Sequence, residues 1–174
     1  TRTAVVRIHD VRGYHCYRLI TMIANGKADI YNIQVGKGGM AFGLNGGSVM
    51  TCRNFLIYDM TYQAIVTSGT PTNRMENGTF HRINNLRYPA SGLLALTNCL
   101  VISVTNYLSY DGTNNVISLD DTGIFQTVGA ATHYLNTNST YRDAGTLNIN
   151  SGLAAVLKRS TTYPPIVIGT GTYY

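Results

Sequence analysis

Tryptophan is absent from this chain, and glutamate nearly so, with Glu76 standing alone. A Glu-based pair of general acid and general base is therefore excluded, although an Asp pair is not. No Gly-x-Ser-x-Gly elbow and no His-Glu-x-x-His is present, so two strong signatures of hydrolytic sites are missing. The histidines His9, His15, His81 and His133 fall in four different expected elements. An enzyme is not the expectation. Charge is scarce as well, at 12% of 174 residues, against about a quarter in an average soluble domain. The cysteines Cys16, Cys52 and Cys99 are odd in number and show neither a CxxC nor a Cys/His metal spacing, which favours buried free thiols over a disulfide framework. No apolar run is long enough to cross a membrane and no signal peptide is visible, so no membrane partner is expected.

What fills the gap is Thr, Asn, 18 Gly and 13 Tyr. A surface made polar by hydroxyls and amides suits β-rich, assembly-forming or extracellular proteins. Residues 93–108 carry Leu94, Leu96, Leu100, Ile102, Val104 and Leu108 at even positions, the period of a strand with one dry face. Residues 52–66 repeat the pattern with Leu56, Tyr58, Met60, Tyr62, Ala64 and Val66. Shorter strands are expected over 3–9, 14–23, 29–35, 79–86, 130–135 and 166–168. A turn is expected at Val11-Arg12-Gly13 and a tight one at Asn25-Gly26, so the first three strands read as an antiparallel meander. The glycine-rich stretch 36–47 lacks the Gly-Lys-Ser/Thr ending of a phosphate loop and reads as a surface loop, as does 68–78. Asn150-Ser151-Gly152 caps one helical turn over 153–157, with Lys158 and Arg159 at its end. Eight or nine strands with almost no helix predict one all-β domain over 1–174, an antiparallel sandwich of the single jelly-roll kind.

The net charge of +5 sits wholly in the first third of the chain. Arg2, Arg7, Arg12 and Arg18, spaced five, five and six apart, are the candidate phosphate-binding residues of a non-specific nucleic-acid contact. The carboxylates Asp111, Asp120 and Asp121, in a Gly/Asn/Thr-rich connector, are the candidate ligands for a hard cation such as Ca²⁺. The competing reading is that Asp120 and Asp121 cap a turn and face water. No other cofactor is indicated. His81, Arg82 and Arg87 read as a small basic patch.

In this pattern the chain resembles the coat proteins of small icosahedral viruses, in particular the single jelly-roll subunits of satellite viruses and of circovirus-like or nodavirus-like particles. The long strands 52–66 and 93–108 carry the resemblance. So do the connector from Tyr110-Asp111-Gly112 to Asp120-Asp121-Thr122-Gly123, the Pro164-Pro165 before a last strand, and the basic N-terminal bias. The resemblance implies a capsid protein that self-assembles into a shell around viral nucleic acid, located in the virion. Such coats carry an Arg/Lys-dense arm, of which this chain shows a diluted version; the chain begins at Thr1 without Met, so such an arm would have been either trimmed or left outside this sequence. Two other classes fit the same composition. One is a subunit of an extracellular filament or phage appendage built by sharing strands. The other is a carbohydrate-binding β-sandwich, in which exposed tyrosines such as Tyr173 and Tyr174 stack on sugar rings.

Overall fold

The computed structural model describes residues 4–107, 110–129 and 131–157. Arg2, Lys158, Arg159, the strand expected over 166–168 and the tail with Tyr173 and Tyr174 lie outside the described residues.

Nine strands form one sheet: β1 (Val5–Tyr14), β2 (Arg18–Met22), β3 (Lys27–Gly36), β4 (Met40–Gly46), β5 (Val49–Gly69), β6 (Thr72–Arg87), β7 (Leu93–Asn106), β8 (Asp111–Thr113) and β9 (Val116–Ser118). Every pairing within it is parallel. Val5 pairs with Lys27, Lys27 with Val49, Val49 with Thr72 and Thr72 with Leu93. Each partner therefore lies 21 to 23 residues further along the chain, one full turn of a coil. The architecture is a β-solenoid of about 5 turns, each turn a rung stacked on the last.

Three columns of left-handed residues make the corners. The first is Asp10, Asn32, Asn54, Asn77 and Asn98, with φ between 52 and 56°. The second is His15, Lys37, Asp59, Arg82 and Ser103, with φ between 50 and 54°. The third is Ala24, Gly46, Gly69 and Gly92. Asn and Asp tolerate this conformation through local side-chain hydrogen bonds, and Gly through its missing Cβ. At Gly69 the need is doubled, because a Cβ there would lie 3.0 Å from the Gly46 Cα. Each rung is thus bent into three flat sides, here called A, B and C in chain order.

The interior is filled by columns running along the coil axis. On side A, Ile30, Cys52, Met75 and Leu96 are all fully buried. On side B, Val35, Ile57, Phe80 and Val101 stack in the same way, and the Phe55 ring occupies the space left by Gly78. On side C, Phe42 and Ile65 continue the core. Burial of such side chains is worth about 1.5–3 kcal/mol each, enough to stabilise a coil with few charges. The outer surface of side A is tied by Arg53, which reaches Asp29 at 2.6 Å and Glu76 at 3.0 Å. Cys52 and Cys99 are buried free thiols and Cys16 is half-buried; burial pushes the Cys99 thiol up to about 12.

The antiparallel jelly roll is therefore wrong, and the meander with it: β1 and β3 run parallel. Val11-Arg12-Gly13 is not a turn but the interior of β1. Asn25-Gly26 follows the third corner of the first rung rather than closing a hairpin. The expected loops 36–47 and 68–78 hold β4 and the start of β6, and Phe42, Leu44 and Met75 are fully buried. With the jelly roll falls the ground for a capsid: the virion, icosahedral-shell and encapsidation readings rested on a sandwich that the parallel coil replaces, and nothing in the structure supports them.

Two features follow the coil. A hairpin of β10 (Phe125–Val128) and β11 (Ala131–Leu135) pairs antiparallel, close to the strand expected at 130–135. The helix α1 (Ser151–Leu157) is capped by Asn150, whose Oδ1 accepts from the Leu153 amide at 3.2 Å, as its sequence indicates.

Candidate functional site

The alternation of side B places Tyr58, His81 and Ile102 on its outer surface, yet all three are buried. The cover is the hairpin β10–β11 and the turn before it. Asp121, Phe125 and His133 of this segment contact Tyr58 and His81 on this side, and Ile124 is buried. The joint is aromatic and ionic. Phe125 lies 4.8 Å from His81, and His133 lies 4.5 Å from Tyr58, between ring centroids.

A hydrogen-bonded chain runs through the joint. Asp121 Oδ2 is 3.0 Å from His81 Nε2, His81 Nδ1 is 2.9 Å from His133 Nε2, and His133 Nδ1 is 2.7 Å from Thr132 Oγ1. One proton arrangement satisfies every atom. Thr132 Oγ1 donates to His133, His133 Nε2–H donates to His81, and His81 Nε2–H donates to Asp121. Both imidazoles are then neutral, which their environment favours. Burial lowers the His133 pKa to about 4, helped by the proximity of His81 and Arg82. Burial also lowers His81, against the opposing pull of Asp121. Hydrogen bonds from Arg82 first, then His81, hold the Asp121 carboxyl below the usual range; the Arg82 Nε contact is 2.7 Å.

Beside this joint opens a cleft of about 240 Å³. Lys37, Asp59 and Arg82, all from the second corner column, form one rim, and Gln126, Thr127 and Thr132 of the hairpin form the other. Tyr58, His81, Phe125 and His133 make the floor. Of these residues only His81 and Arg82 stood out in the sequence, as part of a basic patch. The patch does not exist as such: His81 is buried, which lowers its basicity, and Arg87 donates to the Ser91 and Gly92 carbonyls at 3.1 and 3.0 Å. His133 stands 52 residues from His81, and nothing in the sequence joins them.

The other expected sites are dispersed. Arg7 lies on side A, Arg12 on side B and Arg18 on side C of the first rung, so the described members of the arginine set face three directions. Arg18 Nε approaches Met40 Sδ at 3.1 Å. Asp111 belongs to β8 and is exposed. Asp120 accepts from the Thr122 amide at 2.9 Å, a turn cap. Asp121 turns away into the histidine chain. Among the described residues no group of three His, Cys, Asp or Glu could hold a metal ion, so Asp111, Asp120 and Asp121 do not converge on a calcium site. No described helix is long and apolar enough to cross a membrane.

No protein-family model, curated protein or solved structure matches the chain.

Proposed function

We propose that this chain is a structural module of an extracellular filament or phage appendage, a short solenoid that joins a neighbour by adding a strand at its first rung. The observation that carries the reading is the difference between the two ends of the coil. Among the described residues, β1 pairs only with β3, and β2 only with β4. Val5 and Val6 are 54% and 56% exposed, whereas Ala28, the partner of Val6 one rung on, is 6% exposed. The opposite end is covered. Asn115 accepts from the Cys99 amide and donates to the Leu96 carbonyl, both at 2.9 Å, and Asn98 exchanges two 2.9 Å bonds with the Thr146 backbone.

A row of unpaired backbone groups above an apolar floor is a template for another strand. Charged residues are only 12% of the chain, so few like charges oppose the close approach of a second copy. The role is architectural rather than enzymatic, and its partner is the protein itself.

Sedimentation equilibrium tests this. The wild-type chain is expected to self-associate as concentration rises, and Val6→Lys to remain monomeric with unchanged circular dichroism. The substitution places a charge on the open floor where a rung would stack, yet removes little buried surface. A wild-type chain that stays monomeric throughout, or a Val6→Lys variant that associates equally well, overturns the proposal. Because, among the described residues, only the first rung is open, electron micrographs of associated material should show end-to-end pairs, not closed shells.

A further inference from the structure

Two exposed tyrosines stand beside the cleft. Tyr17 is 66% and Tyr62 51% exposed, and their rings approach to 6.4 Å edge-to-face although two rungs separate them. The rung between them contributes Gly39 at this place, where a Cβ would lie 3.1 Å from the Tyr17 ring. The gap left by glycine lets the two rings form one continuous aromatic surface on side C. It begins at the corner that rims the cleft: Gly39 lies two residues after Lys37, and Tyr62 three after Asp59. At most about 3.6 Å per residue separates them along the chain, so the backbone that carries Tyr62 lies within about 11 Å of the backbone of that rim.

We infer that this lane, from the Tyr17–Tyr62 surface over the Lys37/Asp59 corner into the cleft, binds an uncharged linear oligosaccharide. The chemistry of the lane selects that ligand. A sugar ring has an apolar face of C–H groups that packs on a flat aromatic ring, and a polar edge that needs donors and acceptors together. Tyr17 and Tyr62 supply the first. Asp59, Gln126, Thr127, Thr132 and the Arg82 guanidinium, whose Nε alone is held by Asp121, supply the second around the cleft. Charge is sparse there: the lining holds the cations Lys37 and Arg82 and the anion Asp59, and Arg82 is already paired with Asp121 behind it. A polyanion such as nucleic acid gains little from so few cations, and an acidic saccharide would meet the Asp59 carboxylate. An apolar peptide would leave the paired charges of the cleft desolvated.

Isothermal titration with cello-, malto-, xylo-, manno- and chito-oligosaccharides tests this, with oligogalacturonate and a single-stranded oligonucleotide as charged comparators. The Val6→Lys chain serves as well as the wild type, which separates this result from the association experiment. At least one neutral series is expected to bind, and Tyr62→Ala to weaken it by about tenfold, the loss of one ring contact. Arg82→Gln is expected to weaken it as well. Tyr62→Ala alters an exposed residue, and circular dichroism and thermal melting check that its fold is retained. Absence of binding by all five neutral series, preference for either charged comparator, or unchanged affinity in Tyr62→Ala overturns the inference.

Discussion

Removing the amide of Asn54 separates two contributions that the first corner column combines. Asn54 sits at φ 52°, and its Nδ2 donates to Asn32 Oδ1 at 2.7 Å, while Asn32 Nδ2 donates to Asp10 Oδ1 at 2.9 Å. Asn54→Gly keeps the left-handed backbone and loses the hydrogen bond, leaving Asn32 Oδ1 without its donor. The cost is about 1–2 kcal/mol for a half-buried pair. Asn54→Ala loses the same bond and also forces a Cβ into the left-handed region, a further cost of about 1 kcal/mol. Alanine should therefore be the worse of the two by about 1 kcal/mol, reversing the order found in an ordinary strand, where Gly is the more costly. Urea unfolding followed by circular dichroism, extrapolated to water, measures the difference directly. Equal stabilities for Ala and Gly, or Gly the weaker, would refute the assignment of this column as a stack of left-handed corners. Both variants matching the parent would refute the side-chain ladder.

Acidification should loosen the hairpin. His133 has a folded pKa of about 4, below the ordinary value near 6.5, so the unfolded chain binds a proton the folded chain refuses. The stabilisation is complete above pH 6.5 and is lost as pH falls through 4; allowing for partial solvent access it amounts to about 2 kcal/mol. His133→Gln should flatten the dependence of melting temperature on pH across that window, and a parent whose stability is level from pH 7 to 4.5 would contradict the His81–His133 contact. Asn73 is fully buried between Met50 and Leu94, and neither its Oδ1 nor its Nδ2 has a hydrogen-bond partner. Asn73→Leu is expected to raise stability by about 1–3 kcal/mol; a lower melting temperature in scanning calorimetry would show that the amide is satisfied.

Most of the longer strands were legible, though β4 and the start of β6 read as loops. Period-two alternation is real in β5 and β7, the strand Ala131–Leu135 lies within the expected 130–135, and the Asn150 cap falls where the sequence puts it. What misled is the corner. Each left-handed residue flips the phase of the alternation, so Leu94 and Leu96 point inward before Asn98, and Cys99 and Val101 point inward after it. A single alternating face through residues 93–108 runs across the corners at Asn98 and Ser103 and so joins three sides of the coil as one. The repeat was hidden for a related reason. Its fixed positions demand only a backbone conformation, met by Asp10, Asn32, Asn54, Asn77 and Asn98 in one column and by Gly46, Gly69 and Gly92 in another. The spacing also drifts between 21 and 23 residues. Asparagine and glycine are so abundant here that their recurrence looks like composition. The cleft was less legible still, because the contacts of His81 with Asp121 and His133 span 40 and 52 residues and depend on a segment folding back over the coil.

The drift in spacing has a corollary for how such a rod can change length. A single inserted residue is absorbed locally, as in the irregular pairing between Met60 and Gln63 where β5 meets β6. An inserted block of 22 residues, the distance from Val5 to Lys27, would instead bring all three corners back into line and leave the cross-section untouched. Elongation therefore comes in whole steps of about 4.8 Å, the spacing of neighbouring strands, and a molecule of this design is a ruler whose smallest division is one circuit of the chain.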